Sequence, residues 1–397
     1  MKLRTLKDLK NLKNKTVLVR VDYNVALKHG KILEPERIER SFPTINYLLK
    51  KKAKIILLSH LGSPAGKVVK KLSLRPVAIY LDSKAKKPVY FIDDCLGEKV
   101  KQKIKKLKTG QILLLENLRF YPGEEKNDAK FAHELASLGD FYINEAFSVC
   151  HRAHASVSAL AKFLPAYAGF NLADEVNNLN KILQGFKKPA LAIIGGIKIS
   201  TKIKVIENFL KKYNYVLIGG ALANNFLAAQ KINIGQSVYE KDFVPLAKKI
   251  IQRANGKLIL PIDFRTCRNL KGRGNIKTVK ISELNKIKSK KFYITDIGLR
   301  TELYFNRYIK KAQTLVWNGP MGMFEIPAFS HGSDFIAQNI ALVSKGPAFG
   351  VVGGGETIAL IDQLKIKNWF DFVSTAGGAM LEFLEGKVLP GIKPLIK

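Results

Sequence analysis

Ten short apolar runs, five in each half of the chain, constrain the fold of this sequence more than any other feature. They are VLVRV, IILLSH, PVYFI, ILLLEN and FYINEAF, followed by ALAIIGG, YVLIGG, KLILPID, TLVWNG and FGVVGGG. The stretches between them are lysine-rich on one side and apolar on the other, as in helices that cover a sheet. Because strands that alternate with helices are typical of βαβ units, the sequence predicts an α/β fold built on parallel sheets.

The length of the chain indicates more than one domain. At 397 residues it is two to three times the roughly 150 residues of a typical domain. We expect the boundary between about residues 168 and 190, where ADEVNNLNKILQGF is typical of a helix ending at Gly185, before Pro189. The last segment, GKVLPGIKPLIK, contains two prolines and is expected to be a tail that packs back on another part of the chain. The predicted architecture is therefore α/β in two lobes.

The charge of the chain is strongly basic, with 67 Lys and Arg against 32 Asp and Glu and a formal net charge of +35. Such a charge attracts nucleic acid, anionic membranes or acidic metabolites. The lysine runs, however, contain no interleaved aromatic residues on which bases would stack. A solvated surface is the favoured interpretation, with nucleic acid bound only non-specifically through net charge.

The compartment is predicted from what the sequence lacks. No apolar run approaches the roughly 18 residues of a membrane span, and the N-terminus is too polar for a secretory signal. The three cysteines form no CxxC pair, so neither a disulfide framework nor a zinc site is indicated. We expect a cytoplasmic protein that does not bind membranes.

Polar side chains follow the apolar runs of the first half. In VLVRVDYNV, strand alternation places the valines on one face and Arg20, Asp22 and Asn24 on the other. Ligands of open α/β sheets bind outside the carboxyl ends of the strands. An arginine and histidine cluster there suits a small acid with a carboxylate and a phosphate. Its other members are Arg37, Ser59, His60, Glu116, Asn117, Arg119, Asn144, Glu145, His151, Arg152 and His154.

Three of these features have simpler interpretations. Taken alone, Arg20 and Asp22 are more readily explained as an internal ion pair than as ligand contacts. His151 and His154 have metal-ligand spacing, but no third ligand lies nearby in the sequence, which disfavours a metal site. Cys150 is adjacent to His151, yet neighbours in sequence do not face each other, so a buried thiol is favoured over a nucleophile.

Glycine-rich turns follow the apolar runs of the second half: IIGGIKIS, VLIGGALA, VWNGPMG and VVGGGET, with STAGGA near the end. Glycines let the backbone approach an anion closely, and a helix N-terminus attracts phosphate. Two or three such turns would be explained by packing, but this many predict a polyphosphate ligand. Glu356 would then supply an oxygen ligand to a phosphate-bound Mg²⁺. Lys198 and Lys202 would share a face if their stretch were helical, and no P-loop or GxGxxG motif is present.

Thirteen short motifs follow one another along both halves of the chain. They are RVDYNVA, RIERSFPTI, SHLGSP, ENLRFYPGEE, NEAF, HRAH, GGIKISTKI, LPIDF, DIGLRT, VWNGPMGMFE, GGGET, VSTAGGA and LEGKVLPG. In this order, and over nearly the whole chain, they resemble the phosphoglycerate kinase family.

The resemblance implies two lobes that face a central cleft. Residues 1–170 would bind 3-phosphoglycerate and be completed by the tail 386–397, residues 171–190 would form an interdomain helix or hinge, and residues 191–385 would bind the nucleotide. The implied reaction is reversible, in-line phosphoryl transfer between ATP and 3-phosphoglycerate, giving ADP and 1,3-bisphosphoglycerate. Mg²⁺ would enter as Mg-ATP or Mg-ADP, and a monomer that closes around its substrates is expected.

The resemblance also implies roles for particular residues. The substrate would be bound by Asp22, Asn24, Arg37, His60, Arg119 and Arg152. The nucleotide would be bound by Gly195, Gly196, Lys198, Lys202, Gly219, Gly220, Asn318, Pro320, Glu325, Gly353, Gly354, Gly355, Glu356 and Thr357. The implied catalytic groups are Arg37, Lys198, Lys202, Gly354 and Gly377, and the implied metal ligand is Glu356.

Several positions differ from the family pattern. Ser63 replaces a substrate-binding arginine, and Thr201 replaces an aspartate near magnesium. The other differences are Glu356 and Glu145 for aspartates, Ala376 for a glycine and Leu299 for a proline. These changes and the +35 charge motivate one alternative, a divergent and weakly active relative that binds polyanions or nucleic acid. The retained arginines and glycine turns favour the enzyme.

Overall fold

The computed structural model describes residues 1–397 and divides them into two compact units. The first unit comprises Met1–Asn177 together with Val388–Lys397, and the second comprises Asn178–Lys387. No helix in the structure combines the length and apolar character needed to cross a membrane.

The first unit is built on a six-stranded parallel sheet with the strand order β5-β6-β4-β1-β7-β8. Its central strands are buried on both faces, which is why their sequences are continuous apolar runs. A short antiparallel pair, β2 and β3, lies outside this sheet. The strands are β1 Thr16–Arg20, β2 Leu27–Lys28, β3 Lys31–Ile32, β4 Lys54–Leu58, β5 Val89–Phe91, β6 Ile112–Leu114, β7 Phe141–Asn144 and β8 Ala166–Ala168.

Seven α-helices belong to this part of the chain, and α6 shows how the sequence determines them. The Asp128 side chain accepts a hydrogen bond from Phe131 N and caps the helix, while Phe131, Ala132, Leu135 and Ala136 form its buried face. The helices are α1 Glu36–Glu39, α2 Phe42–Lys50, α3 Arg75–Lys84, α4 Glu98–Lys105, α5 Pro122–Glu125, α6 Ala129–Ala136 and α7 Phe170–Leu183. The boundary between the units falls within α7, which covers most of the segment 171–190.

The C-terminal tail, Val388–Lys397, packs within the first unit. Arg4 N donates to Leu395 O at 2.7 Å, and Lys397 Nζ donates to Asp8 Oδ1 at 2.8 Å. Gly391 is held on both sides, because its N–H donates to Cys150 O at 2.9 Å and its carbonyl accepts from Asn144 at 3.1 Å. The tail thus closes the first unit against the N-terminal segment and the end of β7.

The second unit also contains a six-stranded parallel sheet, ordered β11-β10-β9-β15-β16-β17. A separate antiparallel sheet, β13-β12-β14, was not predicted from the sequence. The strands are β9 Ala190–Ile194, β10 Tyr215–Ile218, β11 Leu258–Ile259, β12 Asp263–Cys267, β13 Lys277–Lys280, β14 Tyr293–Ile297, β15 Thr314–Asn318, β16 Phe349–Gly353 and β17 Phe372–Ser374.

Eight further helices flank these sheets, and two of them begin at glycine turns that follow strands. One is α14, which starts directly after β16, and the other is α15, which starts after β17. The helices are α8 Ile203–Lys212, α9 Ala223–Ala229, α10 Val244–Arg253, α11 Ile281–Leu284, α12 Leu299–Ile309, α13 His331–Ser344, α14 Gly355–Gln363 and α15 Gly377–Leu384. Each of the ten apolar runs contains a strand, and the predicted α/β class with two parallel sheets is confirmed.

Candidate active site

Arg20 ends β1 and is fully buried, but it does not pair with Asp22 as the sequence suggested. Its Nε donates to Ser156 Oγ at 2.8 Å, and its Nη2 lies 3.1 Å from His60 Nδ1. Strand alternation would place both side chains on one face, but β1 ends at Arg20, so Asp22 lies beyond the strand and the alternation does not extend to it. The ion-pair interpretation is therefore wrong for this pair.

Asp22 instead pairs with Arg37, at 2.9 Å between Oδ2 and Nη1. Ser148 Oγ donates to the same carboxylate oxygen at 2.6 Å, so the carboxylate is fixed from two sides. The Arg37 side chain remains 37% exposed, which leaves its guanidinium accessible to a ligand. Asn24 Oδ1 accepts the Gly62 N–H at 2.9 Å and so anchors the loop after β4.

Arg119 follows β6 and donates to Gly62 O at 2.7 Å. Its Nη1 also lies 3.4 Å from the hydroxyl of Ser63. Glu125 approaches its Nε at 3.2 Å, but this nitrogen makes no aligned hydrogen bond, so the contact is chiefly between charges. Burial lowers the pKa of Arg119 from its ordinary value.

Two histidines of this cluster, His60 and His154, are neutral at physiological pH. Burial, reinforced by Arg20 and Arg119, holds the pKa of His60 well below 6.5. Burial and the same two arginines lower the pKa of His154 to about 4. Arg152 is exposed, and no group of three His, Cys, Asp or Glu side chains is arranged to hold a metal. The first unit thus presents arginine cations beside neutral imidazole rings.

Cys150 is fully buried, and burial raises the pKa of its thiol to about 12. The interpretation of this residue as a buried thiol is confirmed. Glu145 is also buried, and burial raises its pKa to about 8, although its carboxylate accepts from the N–H groups of Asn171 and Leu172 at the start of α7.

The glycine turns of the second unit meet at the carboxyl ends of four adjacent strands, β10, β9, β15 and β16. A Cβ on Gly220 would lie 2.4 Å from Gly196 N, and one on Gly319 would lie 2.4 Å from Gly195 O. Close packing between turns therefore requires glycine at these positions whether or not a ligand binds. By contrast, a Cβ on Gly355 or Gly377 would meet nothing within 4 Å.

Lys202 is the most buried cation of the second unit's turns, at 8% exposure. Its Nζ donates to Gly195 O at 2.6 Å. Burial lowers its pKa to about 8, while Glu356 acts in the opposite direction. The stretch from Lys198 to Lys202 is a turn that precedes α8, not a helix, because α8 begins only at Ile203. Lys198 is exposed there, and Thr201 Oγ1 donates to its carbonyl at 3.0 Å.

Two side-chain hydrogen bonds fix the start of α14. Asn318 Nδ2 donates to Gly353 O at 2.7 Å, and the buried Thr357 hydroxyl accepts from Gly319 N at 2.7 Å. Glu356 lies in the first turn of this helix. A Cβ placed on Gly196 would lie 2.9 Å from Lys202 Nζ and 3.5 Å from Glu356 Oε2. The ammonium and carboxylate groups thus converge on one glycine turn.

A cavity of about 460 Å³ opens beside these turns. Five residues implicated from the sequence line it: Gly196, Gly220, Pro320, Glu325 and Glu356. Sequence reasoning missed Asp296, the penultimate residue of β14, which lines the cavity and accepts a hydrogen bond from Gly332 N at 2.7 Å. Burial raises the pKa of Asp296 to about 8. The strand-end rule applied to the first half would have indicated this residue in YITDI.

Arg20 and Arg119 lie at the carboxyl ends of strands in the first parallel sheet, and glycine turns lie at the carboxyl ends of strands in the second. The family model described as phosphoglycerate kinase matches residues 6–387. The chain is 45% identical to the phosphoglycerate kinase of Moorella thermoacetica over 98% of each protein. It is 43% identical to that of Rhizobium meliloti over 100% of this chain and 99% of the relative. The solved phosphoglycerate kinase structure from Coxiella burnetii matches with a TM-score of 0.89 at 40% identity, covering 99% of each chain. The chain belongs to the phosphoglycerate kinase family, and the resemblance seen in its motifs is confirmed.

Proposed function

We propose that this chain catalyses reversible phosphoryl transfer between ATP and the carboxylate of 3-phosphoglycerate, a step of glycolysis. The products are ADP and 1,3-bisphosphoglycerate. The observation that carries the proposal is the family match over residues 6–387, which includes both the basic cluster and the glycine turns. A polyanion-binding relative without this activity is not favoured. We further propose that the chain acts in the cytoplasm as a monomer.

The first unit supplies the groups for 3-phosphoglycerate. Arg37, Arg119 and Arg152 carry the positive charge that a carboxylate and a phosphate require. Asp22 fixes the Arg37 guanidinium at 2.9 Å, which reduces the entropy lost when a ligand binds. Asn24 fixes the neighbouring loop, and neutral His60 is a hydrogen-bond donor rather than a further cation.

The second unit supplies the groups for the nucleotide. The backbone amides of Gly353, Gly354 and Gly355 lead into α14, where the helix N-terminus attracts phosphate. Lys202 lies beside this turn, and the cavity of about 460 Å³ is large enough to accept a base and ribose. The remaining proposed contacts are Gly195, Gly196, Lys198, Gly219, Gly220, Asn318, Pro320, Glu325 and Thr357.

The donor set of this turn fits Mg²⁺ bound together with the nucleotide. Magnesium commonly uses one or two carboxylates and takes its other ligands from phosphates and water. Glu356 offers one carboxylate at the helix start, whereas Thr201 offers no charge and donates its hydroxyl to Lys198 O. When bound, Mg²⁺ would neutralise phosphate charge, and Glu356 is the residue that would hold it.

The chemistry requires positioning and charge neutralisation rather than a general base. The attacking carboxylate is already ionised at neutral pH. Arg37 and Lys202 neutralise the transferring phosphoryl group, and the amides of Gly354 and Gly377 donate hydrogen bonds to its oxygens. No covalent enzyme intermediate is needed.

A coupled assay with purified protein, ATP, Mg²⁺ and 3-phosphoglycerate tests the proposal. We expect turnover in both directions, strongly reduced in Arg37→Ala. A folded protein with no turnover in either direction would overturn the proposed function. Nucleic-acid binding that persists at physiological salt would favour the alternative, because non-specific phosphate contacts weaken steeply as salt rises.

A further inference from the structure

Four buried side chains form a hydrogen-bonded chain: Glu124, Ser156, Arg20 and His60. Arg20 has no exposed surface, and its guanidinium donates to Ser156 Oγ at 2.8 Å, to Val21 O at 2.5 Å and towards His60 Nδ1 at 3.1 Å. Its charge therefore has to be balanced within the protein, because a buried cation without a counter-charge is strongly destabilising.

Glu124 provides that balance through Ser156. Both residues are fully buried, and Ser156 donates twice to the carboxylate, from Oγ at 2.6 Å and from N at 2.9 Å. A hydroxyl has one proton, which it gives to the carboxylate, so its lone pairs accept from Arg20. Tyr142 OH donates to the Ser156 carbonyl at 2.7 Å and fixes this backbone as well. The direction of every hydrogen bond in the chain is thereby determined.

The direction of the hydrogen bond between Arg20 and His60 determines the tautomer of His60. A guanidinium only donates, so Nδ1 of His60 must accept, and the ring proton must reside on Nε2. His60 is buried and is surrounded by the cations Arg20, Arg119 and Arg152, which keep the ring neutral. The Nε2 atom of His60 makes no hydrogen bond within the protein, and it is not among the polar atoms that are completely enclosed. It is therefore a donor held ready for an anionic oxygen.

We propose that Glu124 and Ser156 are positioning residues for substrate binding, because they hold Arg20 against His60 and fix His60 as the Nε2–H tautomer. In this arrangement Nε2–H donates to a carboxylate or phosphate oxygen of 3-phosphoglycerate, so the inference rests on the proposed function. Neither Glu124 nor Ser156 touches the substrate. A network that only neutralised Arg20 would leave the His60 tautomer and substrate affinity unaffected by Ser156.

The tautomer can be measured without substrate, by nitrogen NMR of the full chain labelled at its six histidines. The His60 signals are identified by their loss in His60→Gln. We expect one tautomer with Nε2 protonated, unchanged between about pH 6 and 8. In Ser156→Ala, Arg20 loses its acceptor, and the two ring nitrogens should shift towards an average of both tautomers.

Kinetics provide the second measurement. Ser156→Ala should raise KM for 3-phosphoglycerate roughly tenfold, with a smaller change in kcat and an unchanged KM for ATP. Glu124→Gln keeps the size of the side chain and should act in the same direction if Ser156→Ala does not fold. Ser344→Ala is the matched control, because Ser344 is also buried but donates only to Ile340 O, within α13.

The outcomes separate this inference from the proposed function. A wild-type His60 protonated on Nδ1, or a Ser156→Ala spectrum and KM identical to wild type, would overturn the positioning role. A protein inactive with 3-phosphoglycerate whose His60 tautomer still depends on Ser156 would contradict the proposed function while supporting the hydrogen-bond chain.

Discussion

Replacing Lys202 by methionine should remove a stability cost that the charged lysine imposes at neutral pH, and it should abolish turnover. Burial lowers the pKa of Lys202 from 10.5 to about 8. This difference corresponds to roughly 3 kcal/mol of destabilisation at pH 7. The variant also loses the hydrogen bond to Gly195 O, which opposes the gain by roughly 1 to 3 kcal/mol. The pH dependence of the stability difference is therefore the informative quantity.

The sign of that dependence follows from proton binding. The folded state binds the Lys202 proton less tightly than the unfolded chain, so wild type gains stability as pH rises from about 8 towards 10.5. The cost of the charged lysine is complete below about pH 8. The free energy of unfolding of Lys202→Met minus that of wild type should fall by roughly 2 kcal/mol between about pH 7 and 9.5.

Urea unfolding followed by tryptophan fluorescence measures this difference in the relevant unit. Both tryptophans, Trp317 and Trp369, belong to the second unit, so the signal reports its unfolding. Lys204→Met is the matched control, because Lys204 is exposed on α8 and its loss should give no comparable pH dependence. A stability difference for Lys202→Met that is constant with pH, or that grows as pH rises, would refute the reasoning.

Four further outcomes are expected. Arg37→Ala should lower kcat by about a hundredfold, or on the order of 3 kcal/mol, with a smaller effect on substrate KM; near-normal kcat would remove it from the catalytic groups. Magnesium titration of activity should show a lower half-maximal concentration for Thr201→Asp and a higher one for Glu356→Ala, and an unchanged titration would contradict the respective assignment. Thermal unfolding should show Gly354→Ala destabilised by roughly 1 to 3 kcal/mol, since Gly354 has φ +99° and a Cβ would lie 2.7 Å from Asn318 Nδ2, whereas Gly355→Ala should be neutral. All three cysteines are buried, so a thiol reagent should modify them only after denaturant is added, and rapid reaction of the folded protein would contradict this.

The strands that could be predicted from sequence are those buried in the two parallel sheets. Burial on both faces gives each of them a continuous apolar run, as in ALAII for β9. The antiparallel sheet was not predicted because β13, with the sequence KTVK, is largely exposed and has no apolar run. The glycine turns were predicted, but the distinction between Gly220, which needs glycine for packing, and Gly355, which does not, depends on neighbours that only the folded structure brings together.

Side-chain partners were the hardest part of the site to predict. Arg20 contacts a serine 136 positions further along the chain, and nothing in the local sequence distinguishes that contact from a pair with Asp22. The burial of Lys202 has the same origin, because a lysine in a charge-rich turn is usually exposed and only the packing of the adjacent glycine turns encloses it. Motif order identifies which residues gather at a site, whereas their pairing depends on contacts between distant segments.

The assignment of the last ten residues to the first unit has a consequence for synthesis. During translation, all of the second unit up to Lys387 is made before Val388–Lys397 emerge from the ribosome. Domains generally fold as units as they are made, so the second unit can reach its native state while the first still lacks Leu395 beside Arg4 and Lys397 beside Asp8. The part of the molecule that is synthesised first is therefore the part that is completed last. The first unit therefore becomes whole only after Val388–Lys397 have left the ribosome, and not when its N-terminal segment has been made.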